Sequence, residues 1–471
     1  MALRENRRFD NYRKLNITNY TEKVLQDRPQ DYAISHYGMK KLIKKFVPEF
    51  ALNTYHWVRG FHAATKNAYP AHNMIVVGVT GTKGKTSTAN YIWSVLTAGG
   101  YKTGLITSAN FRIGNEEEIN SFHMTMPNPY IIQKKIREMQ AKNVSIVVIE
   151  MTSEGMKQYR HFGIPVDIAV FTNLTPEHLG SHKNNFELYK KAKGALFEAL
   201  ASKQKMLFGK TIPKAIIANA DSPHADYYLS FPADQKITFG LEHGTVQALG
   251  IASEKNGTSF TTSGTRFSLS VPGIFNVYNA LPAIIIGNLL DVPLAKIAAG
   301  LQSLTVIPGR MELIDIGQSF PVYVDYAHEP SSFESLLHAA QSLRKPNGKT
   351  IILMGVIGGG RESRVPLARL AATMADYVII TNEDPYDSDP EKMIAELRDV
   401  AEKNGKELNK NLFAILDRRE AIRKALSLAS ADDIVVISGK GAETTMMTKS
   451  GAIPWNERAI VRELVTEILQ K

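Results

Sequence analysis

Apolar and polar positions divide the chain into three stretches. Up to about residue 72 the pattern is basic and helical: "GMKKLIKKFVPEF" and "NTYHWVRGFHAATKNAYP" carry apolar and aromatic residues at roughly helical spacing, and Pro70 closes the region. From Met74 the period changes. Short β-branched runs, "MIVVGV", "IVVIE", "DIAVFTN" and "AIIANAD", read as strands, with helices such as 86–98 and 128–141 between them. A linker near "LTVIPGR" (304–310) opens a second series, with "PVYVDYAH", "TIILMGV", "DYVIITNED" and "DIVVISGKG" as its strands. Such alternation predicts parallel sheets with helices on both faces. The expected fold is α/β: a short helical N-terminal region (1–72), a central phosphate-loop ATPase domain on a parallel sheet (73–304) and a C-terminal Rossmann-like α/β domain (305–471). In open α/β sheets ligands sit at the carboxyl ends of the strands, so two sets of polar and glycine-rich loops are expected to face a cleft.

Composition narrows the setting. The 471 residues are 44% hydrophobic and 22% charged, ordinary for a globular chain, and contain no cysteine, which excludes disulfides and thiolate metal sites. No run of eighteen apolar residues predicts a membrane span, and "MALRENRRFDNYRKLN" lacks the apolar core of a signal peptide. A cytoplasmic protein is expected. The net charge of +10 suits either a solvated basic surface or an anionic, nucleotide-linked substrate. No nucleic-acid motif is present, so nucleic acid is not an expected partner.

The turn after the first predicted strand reads Thr80-Gly81-Thr82-Lys83-Gly84-Lys85-Thr86-Ser87. Glycines let backbone N–H groups crowd around phosphate oxygens, and the following helix N-terminus adds a favourable dipole. Lys85 can reach the outer phosphates and the Thr86 hydroxyl can ligate Mg²⁺. The generic phosphate-loop pattern places glycine where this chain has Val79. ATP is the expected ligand. Glu150, ending the strand "VVIEMTSEG", is a natural Mg²⁺ ligand beside such a loop, with a capping or surface glutamate as the alternative.

The form GTxGKTS resembles the Mur ligases, ATP-dependent enzymes that join amino acids to a nucleotide-linked muropeptide. Further elements share the resemblance. Thr152 and Ser153 occupy the polar positions of the family's "EVSS". "FTNLTPEHLGSH" looks like "NLxxDHLDxH", which puts His178 on a metal-binding position and His182 on the second histidine, with Glu177 where aspartate is usual. Lys193 in "FELYKKAKGALF" matches the lysine that is carbamylated, a change that turns an ammonium into a carboxylate-like Mg²⁺ ligand; Lys190 and Lys191 stay open as alternatives. "GIFNVYNALPA" resembles "FNxxNxxAA", so Asn276 and Asn279 would contact the adenine side of ATP. "IPGRMELI" and "VYVDYAHEP" resemble "VPGRME" and "VVDYAHTP": Arg310 would lie near the γ-phosphate, and Asp325 and His328 would approach ribose and phosphates. "GVIGGGRESRVP" looks like "GxGGDRDxxKRP", with Arg361 holding the carboxylate of the incoming amino acid. "DRREAI" (417–422) and "SGKGAE" match elements of the same domain; the latter holds Gly441 and Glu443, with Ala442 in the place of a histidine.

Within the family the elements best resemble the UDP-N-acetylmuramoyl-tripeptide synthetases, where Thr125 of "HMTMPNP" would face the muropeptide. Diaminopimelate-adding members carry "DNPR"; here Glu383-Asp384-Pro385-Tyr386 stands there, and without the arginine lysine or another amino acid becomes the expected substrate, with Asp384 and Tyr386 beside it. About seventy residues, rather than a uridine-gripping domain of roughly a hundred, precede the phosphate loop. The basic, aromatic N-terminal stretch either packs on the central domain, the preferred reading, or lies on a membrane surface. The resemblance implies a catalytic set of Lys85, His178, Lys193 and Arg310, a metal set of Thr86, Glu150, His178 and Lys193, and amide formation through an acyl phosphate in peptidoglycan precursor synthesis. Two rival readings remain: a folylpolyglutamate synthase-like ligase and a non-catalytic nucleotide-binding regulator. The oligomeric state is not legible.

Overall fold

The structure is a computed structural model and describes residues 48–470, apart from 123, 178, 201–202, 208, 255–256 and 359–363. Of the predicted N-terminal region, "GMKKLIKKFV" therefore lies outside the described residues, whereas the second stretch forms helix α1, Glu49–Lys66. Its small face, Gly60, Ala63 and Ala64, is buried. Trp57 and Phe61 meet the Phe162 ring edge-on at 5.7 and 5.9 Å, and His62 Nδ1 lies 2.8 Å from the Tyr130 hydroxyl. This helix thus packs on the central domain, as preferred from sequence.

The central sheet has nine strands: β1 Ile75–Thr80, β2 Thr103–Ile106, β3 Asn110–Ile113, β4 Glu116–Ile119, β5 Ile146–Glu150, β6 Ile168–Phe171, β7 Ala215–Asn219, β8 Gln235–Gly240 and β9 Val246–Gln247. Their order is β9-β8-β7-β6-β1-β5-β2-β3-β4. From β9 to β2 all pairs are parallel, and β3 and β4 add an antiparallel edge. Strand β1 is buried throughout. Its alternate side chains feed separate cores: Ile75, Val77 and Val79 join one, and Val76 joins the other with Val147 and Ile149. That two-sided burial is why these strands read as continuous apolar runs. Helix α2, Lys85–Ala98, follows β1 and is buried from Thr86 to Leu96. Helix α3, Pro129–Ala141, starts where Asn128 Oδ1 accepts the Tyr130 N–H at 3.1 Å. Helix α4, Phe186–Glu198, carries Lys193 on its buried face.

One unit was not anticipated. Strands β10 Leu249–Glu254, β11 Gly257–Thr262 and β12 Thr265–Leu269 form a separate antiparallel sheet. Phe260 and Phe267 pair across it and are buried, while the intervening positions are polar. Helices α5, Ile274–Leu289, and α6, Leu294–Ser303, then return to pack on α2.

After Ser303 the chain enters the second sheet at Glu312. Its strands are β13 Glu312–Ile314, β14 Val322–Asp325, β15 Thr350–Ile357, β16 Tyr377–Asp384, β17 Leu412–Ile415 and β18 Ile434–Ser438, in the order β13-β14-β18-β15-β16-β17. Only β13 runs antiparallel. Helices α7 Pro330–Leu343, α8 Arg364–Met374, α9 Pro390–Lys403, α10 Arg418–Ser427 and α11 Glu457–Leu469 cover the two faces. The four strands predicted from sequence are β14, β15, β16 and β18.

Candidate nucleotide and metal site

The site is built on the turn between β1 and α2. Gly81 has φ +152° and Gly84 has φ +77°, conformations that favour glycine. A Cβ on Gly84 would also fall 2.3 Å from Asn279 Oδ1. Asn173, at the carboxyl end of β6, fixes the loop: its carbonyl accepts the Thr82 N–H and its side chain the Lys83 N–H, both at 2.9 Å. The Lys85 ammonium donates to Thr82 O at 2.8 Å and lies 3.9 Å from Glu150. Burial pulls its pKa below the usual lysine range, partly offset by Glu150.

Glu150 ends β5 beside this loop and is 2% exposed. It accepts the Thr86 hydroxyl and the Ser108 N–H, each at 2.9 Å, and Ser108 Oγ lies 2.8 Å from Thr86 Oγ1. This is a set of hard oxygens, the donor type Mg²⁺ prefers. Among the described residues no group of three or more His, Cys, Asp or Glu side chains converges. The residues therefore fit a cation that takes one carboxylate and completes its shell with phosphate oxygens and water.

Lys193 reaches the same loop from α4, donating to Gly81 O at 2.7 Å. Burial first, and then the nearby Lys85, hold its pKa well below the lysine range. That lowering favours the unprotonated amine, the form that carbamylation requires. Lys190 pairs with Glu187, and Lys191 is exposed. His178 lies outside the described residues. His182 is buried with Nε2 3.0 Å from Ser153 Oγ, and burial lowers its pKa. Thr152 caps the short helix Ser153–Lys157 by accepting the Gly155 N–H.

Across the cleft, Arg310 donates to Ser108 Oγ at 3.2 Å and stacks its guanidinium 4.4 Å above the Tyr326 ring. Asp325 and His328 both line the cleft. The Asp325 oxygens accept the Met311 and Ala327 N–H groups at 2.7 Å each, and burial raises its pKa against the pull of Arg310. Asp325 therefore holds the loop that carries Arg310. His328 donates from Nδ1 to Tyr326 O at 2.8 Å. The Asn276 side chain donates to Pro272 O, and Asn279 donates to Asn276 Oδ1.

These groups line one cavity of about 740 Å³, which also takes in Thr82, Lys83, Ser87, Thr125, Thr152 and Ser153. Asp384, Tyr386, Gly441 and Glu443 do not line it; they gather at the ends of β16 and β18. The buried Lys440 ammonium donates to Asp384 at 3.0 Å and pairs with Glu443. Tyr386, at φ +53°, donates its N–H to Met447 O. Gly441 packs against Gly309 and Tyr326. Arg361 lies outside the described residues. Sequence reasoning missed Ser108, Asn173, Tyr326 and Lys440. Ser108 and Asn173 each stand two residues past a strand end, the signal that could have found them.

A phosphate-loop sheet joined by a cleft to a second α/β sheet defines a two-domain nucleotide-binding protein. The chain belongs to the Mur ligase family. Residues 79–287 match the Mur ligase middle domain, and residues 309–441 match the Mur ligase, glutamate ligase domain. The chain is 35% identical over 416 residues to the UDP-N-acetylmuramyl-tripeptide synthetase of Roseiflexus sp., covering 86% of this chain and 81% of that protein. It is 34% identical over 405 residues to the UDP-N-acetylmuramoyl-L-alanyl-D-glutamate--2,6-diaminopimelate ligase of Bacillus cereus, covering 84% and 79%. A solved structure of a UDP-N-acetylmuramoyl-L-alanyl-D-glutamate--2,6-diaminopimelate ligase shares the fold at TM-score 0.58 and 24% identity, covering 90% of this chain and 84% of that one. The folylpolyglutamate synthase of Mycobacterium tuberculosis does so at TM-score 0.64 and 16% identity, covering 88% and 95%.

Proposed function

We propose that this chain is an ATP-dependent ligase that adds an amino acid to a UDP-N-acetylmuramoyl-peptide, a cytoplasmic step of peptidoglycan precursor synthesis. The observation that carries this reading is the convergence of Lys85, Thr86, Glu150, Lys193 and Arg310, drawn from both domains, on one cavity. The muropeptide carboxylate attacks the γ-phosphorus of ATP, the bond to ADP breaks, and an acyl phosphate results. Lys85 and Arg310 meet the charge that spreads over the transferring group. Mg²⁺ held by Thr86, Glu150 and carbamylated Lys193 would screen the phosphates. The amine then attacks the acyl carbon, expels phosphate and leaves an amide. His178 and Arg361 belong to the same reading, the first at the metal and the second on the amino-acid carboxylate.

The acidic pair Asp384 and Glu443, with Tyr386 where an arginine would meet a second carboxylate, favours an amino acid with a cationic side chain, lysine before diaminopimelate. The deciding experiment measures ADP release with UDP-muramoyl-dipeptide and a panel of amino acids. Release that needs the muropeptide and is fastest with lysine supports the proposal. Release driven by folate with glutamate, or by no amino acid, overturns it.

A further inference from the structure

Helix α1 buries one face and leaves another uncovered. The buried face is made of small residues: a Cβ on Gly60 would fall 2.6 Å from Tyr159 O, so the helix backbone lies directly on the central domain. Away from that face Phe50, Trp57, Val58 and Phe61 follow one another at helical spacing and are 74%, 43%, 48% and 43% exposed. The Trp57 and Phe61 rings stack with centroids 5.5 Å apart and 8° between their planes. Thr54, the polar member of this row, spends its hydroxyl on Phe50 O at 2.9 Å. Single exposed apolar residues need no partner, but a continuous row of large ones marks an interaction surface.

Charge says what that partner is. Glu49 is the one carboxylate of α1, and Lys183 and Lys157 hold it at 2.8 and 3.7 Å, so the first turn is cationic on balance. Arg59, stacked 5.3 Å from the centre of the Tyr55 ring, and Lys66 add positive charge along the helix and at its end. The chain that leads into α1 repeats the pattern. Residues 1–47 carry eleven Lys and Arg against five Asp and Glu, six of the chain's net charge of +10. In "GMKKLIKKFV", Met39, Leu42, Ile43 and Phe46 fall at helical spacing with Lys40, Lys41, Lys44 and Lys45 between them. A basic segment folded back over the row, or a second copy laid on it, would bring cations against cations; an anionic surface would not. Among the described residues no helix is long and apolar enough to cross a membrane, so the row suits a surface on which the helix lies.

We propose that the exposed face of α1, together with the basic segment before it, docks on an anionic lipid bilayer. Phe50, Trp57, Val58 and Phe61 enter the headgroup layer, where an indole finds both apolar and polar surroundings. The lysines meet the lipid phosphates. Because the small face of α1 seats it on the central domain, docking holds that domain at the bilayer surface. The proposal is independent of the ligase reading.

The test mixes the full chain with vesicles of phosphatidylcholine, with and without phosphatidylglycerol, and reads cosedimentation and tryptophan emission. Expected are at least about tenfold tighter binding to the vesicles with phosphatidylglycerol, weakened by salt, and a blue shift of emission that Trp57→Phe removes without removing binding. Phe50→Ser with Val58→Ser should weaken binding about tenfold while the chain unfolds at an unchanged temperature. Lys40→Gln, Lys41→Gln, Lys44→Gln and Lys45→Gln together should weaken it by about tenfold or more. Equal binding to both kinds of vesicle, binding to neither, or no effect of the Phe50 and Val58 substitutions would overturn the proposal. So would a vesicle-free chain whose Trp57 is already shielded from acrylamide, as a covering N-terminal segment requires, or one that sediments as a dimer dispersed by Phe50→Ser, as a second copy on the row requires.

Discussion

Replacing Lys193 by methionine separates what this residue does for the fold from what it does for chemistry. In the folded chain Lys193 is 2% exposed and its amine donates to Gly81 O at 2.7 Å. Burial and Lys85 hold its pKa below the unfolded value of about 10.5. Between the folded and unfolded pKa the unfolded chain binds the proton and the folded chain does not, so stability rises with pH across that window and the gain is complete above the unfolded pKa. Methionine removes this titration. It also leaves Gly81 O without its donor, a cost of about 1–3 kcal/mol, but that cost does not vary with pH. The wild-type-minus-variant difference in unfolding free energy should therefore climb with a slope of at most about 1.4 kcal/mol per pH unit. Urea unfolding in CO₂-free buffer from about pH 7 to about pH 10 measures it, with the exposed Lys191→Met as a flat control. Bicarbonate should stabilise wild type and not the variant, because the lowered pKa makes the folded chain's amine the more readily carbamylated one. Parallel curves for wild type and variant would refute the reasoning, since they would mean that Lys193 is charged in its buried place.

Glu150→Gln keeps the shape of the Thr86 and Ser108 partner but removes its charge; the Mg²⁺ concentration for half-maximal ADP release should rise roughly tenfold or more. Gly84→Ala must hold a Cβ at φ +77° and displace Asn279, so nucleotide affinity measured by calorimetry should fall and stability drop by about 1–2 kcal/mol. Arg418 is 1% exposed on its side chain and bonds Glu457, Ser438 O and Asn382 O; Arg418→Met strands the buried Glu457 and should cost about 3–5 kcal/mol in urea unfolding with the m-value unchanged.

Four strands of each sheet, β1, β5, β6 and β7 and then β14, β15, β16 and β18, were legible because a parallel strand covered on two faces is buried throughout and apolar almost to its end, as β1, β5 and β18 are. The sheet β10–β12 escaped notice because only one of its faces is buried, and its Ser- and Thr-rich pattern reads as loop until Phe260 and Phe267 are seen to pair. At the site, Lys85, Thr86 and Glu150 were picked out from the glycine-rich turn and the strand end, and the structure brings the three together. Asp325 was readable as important, but its contacts were not, because a carboxylate that accepts two backbone N–H groups two residues away and across a turn has no sequence signature. The same limit hid the cluster around Lys440, which is assembled from strand ends 56 residues apart. Under the proposed function that cluster would bear on substrate choice. An ammonium buried between Asp384 and Glu443 already neutralises part of their charge. A cationic amino-acid side chain must share these carboxylates with Lys440, and a second substrate carboxylate must bring its own counter-charge or displace them. With Tyr386 where an arginine would supply that charge, the proposed function expects the monocarboxylate to be preferred, and Lys440→Met to change which amino acid is accepted, read as ADP release across the amino-acid panel.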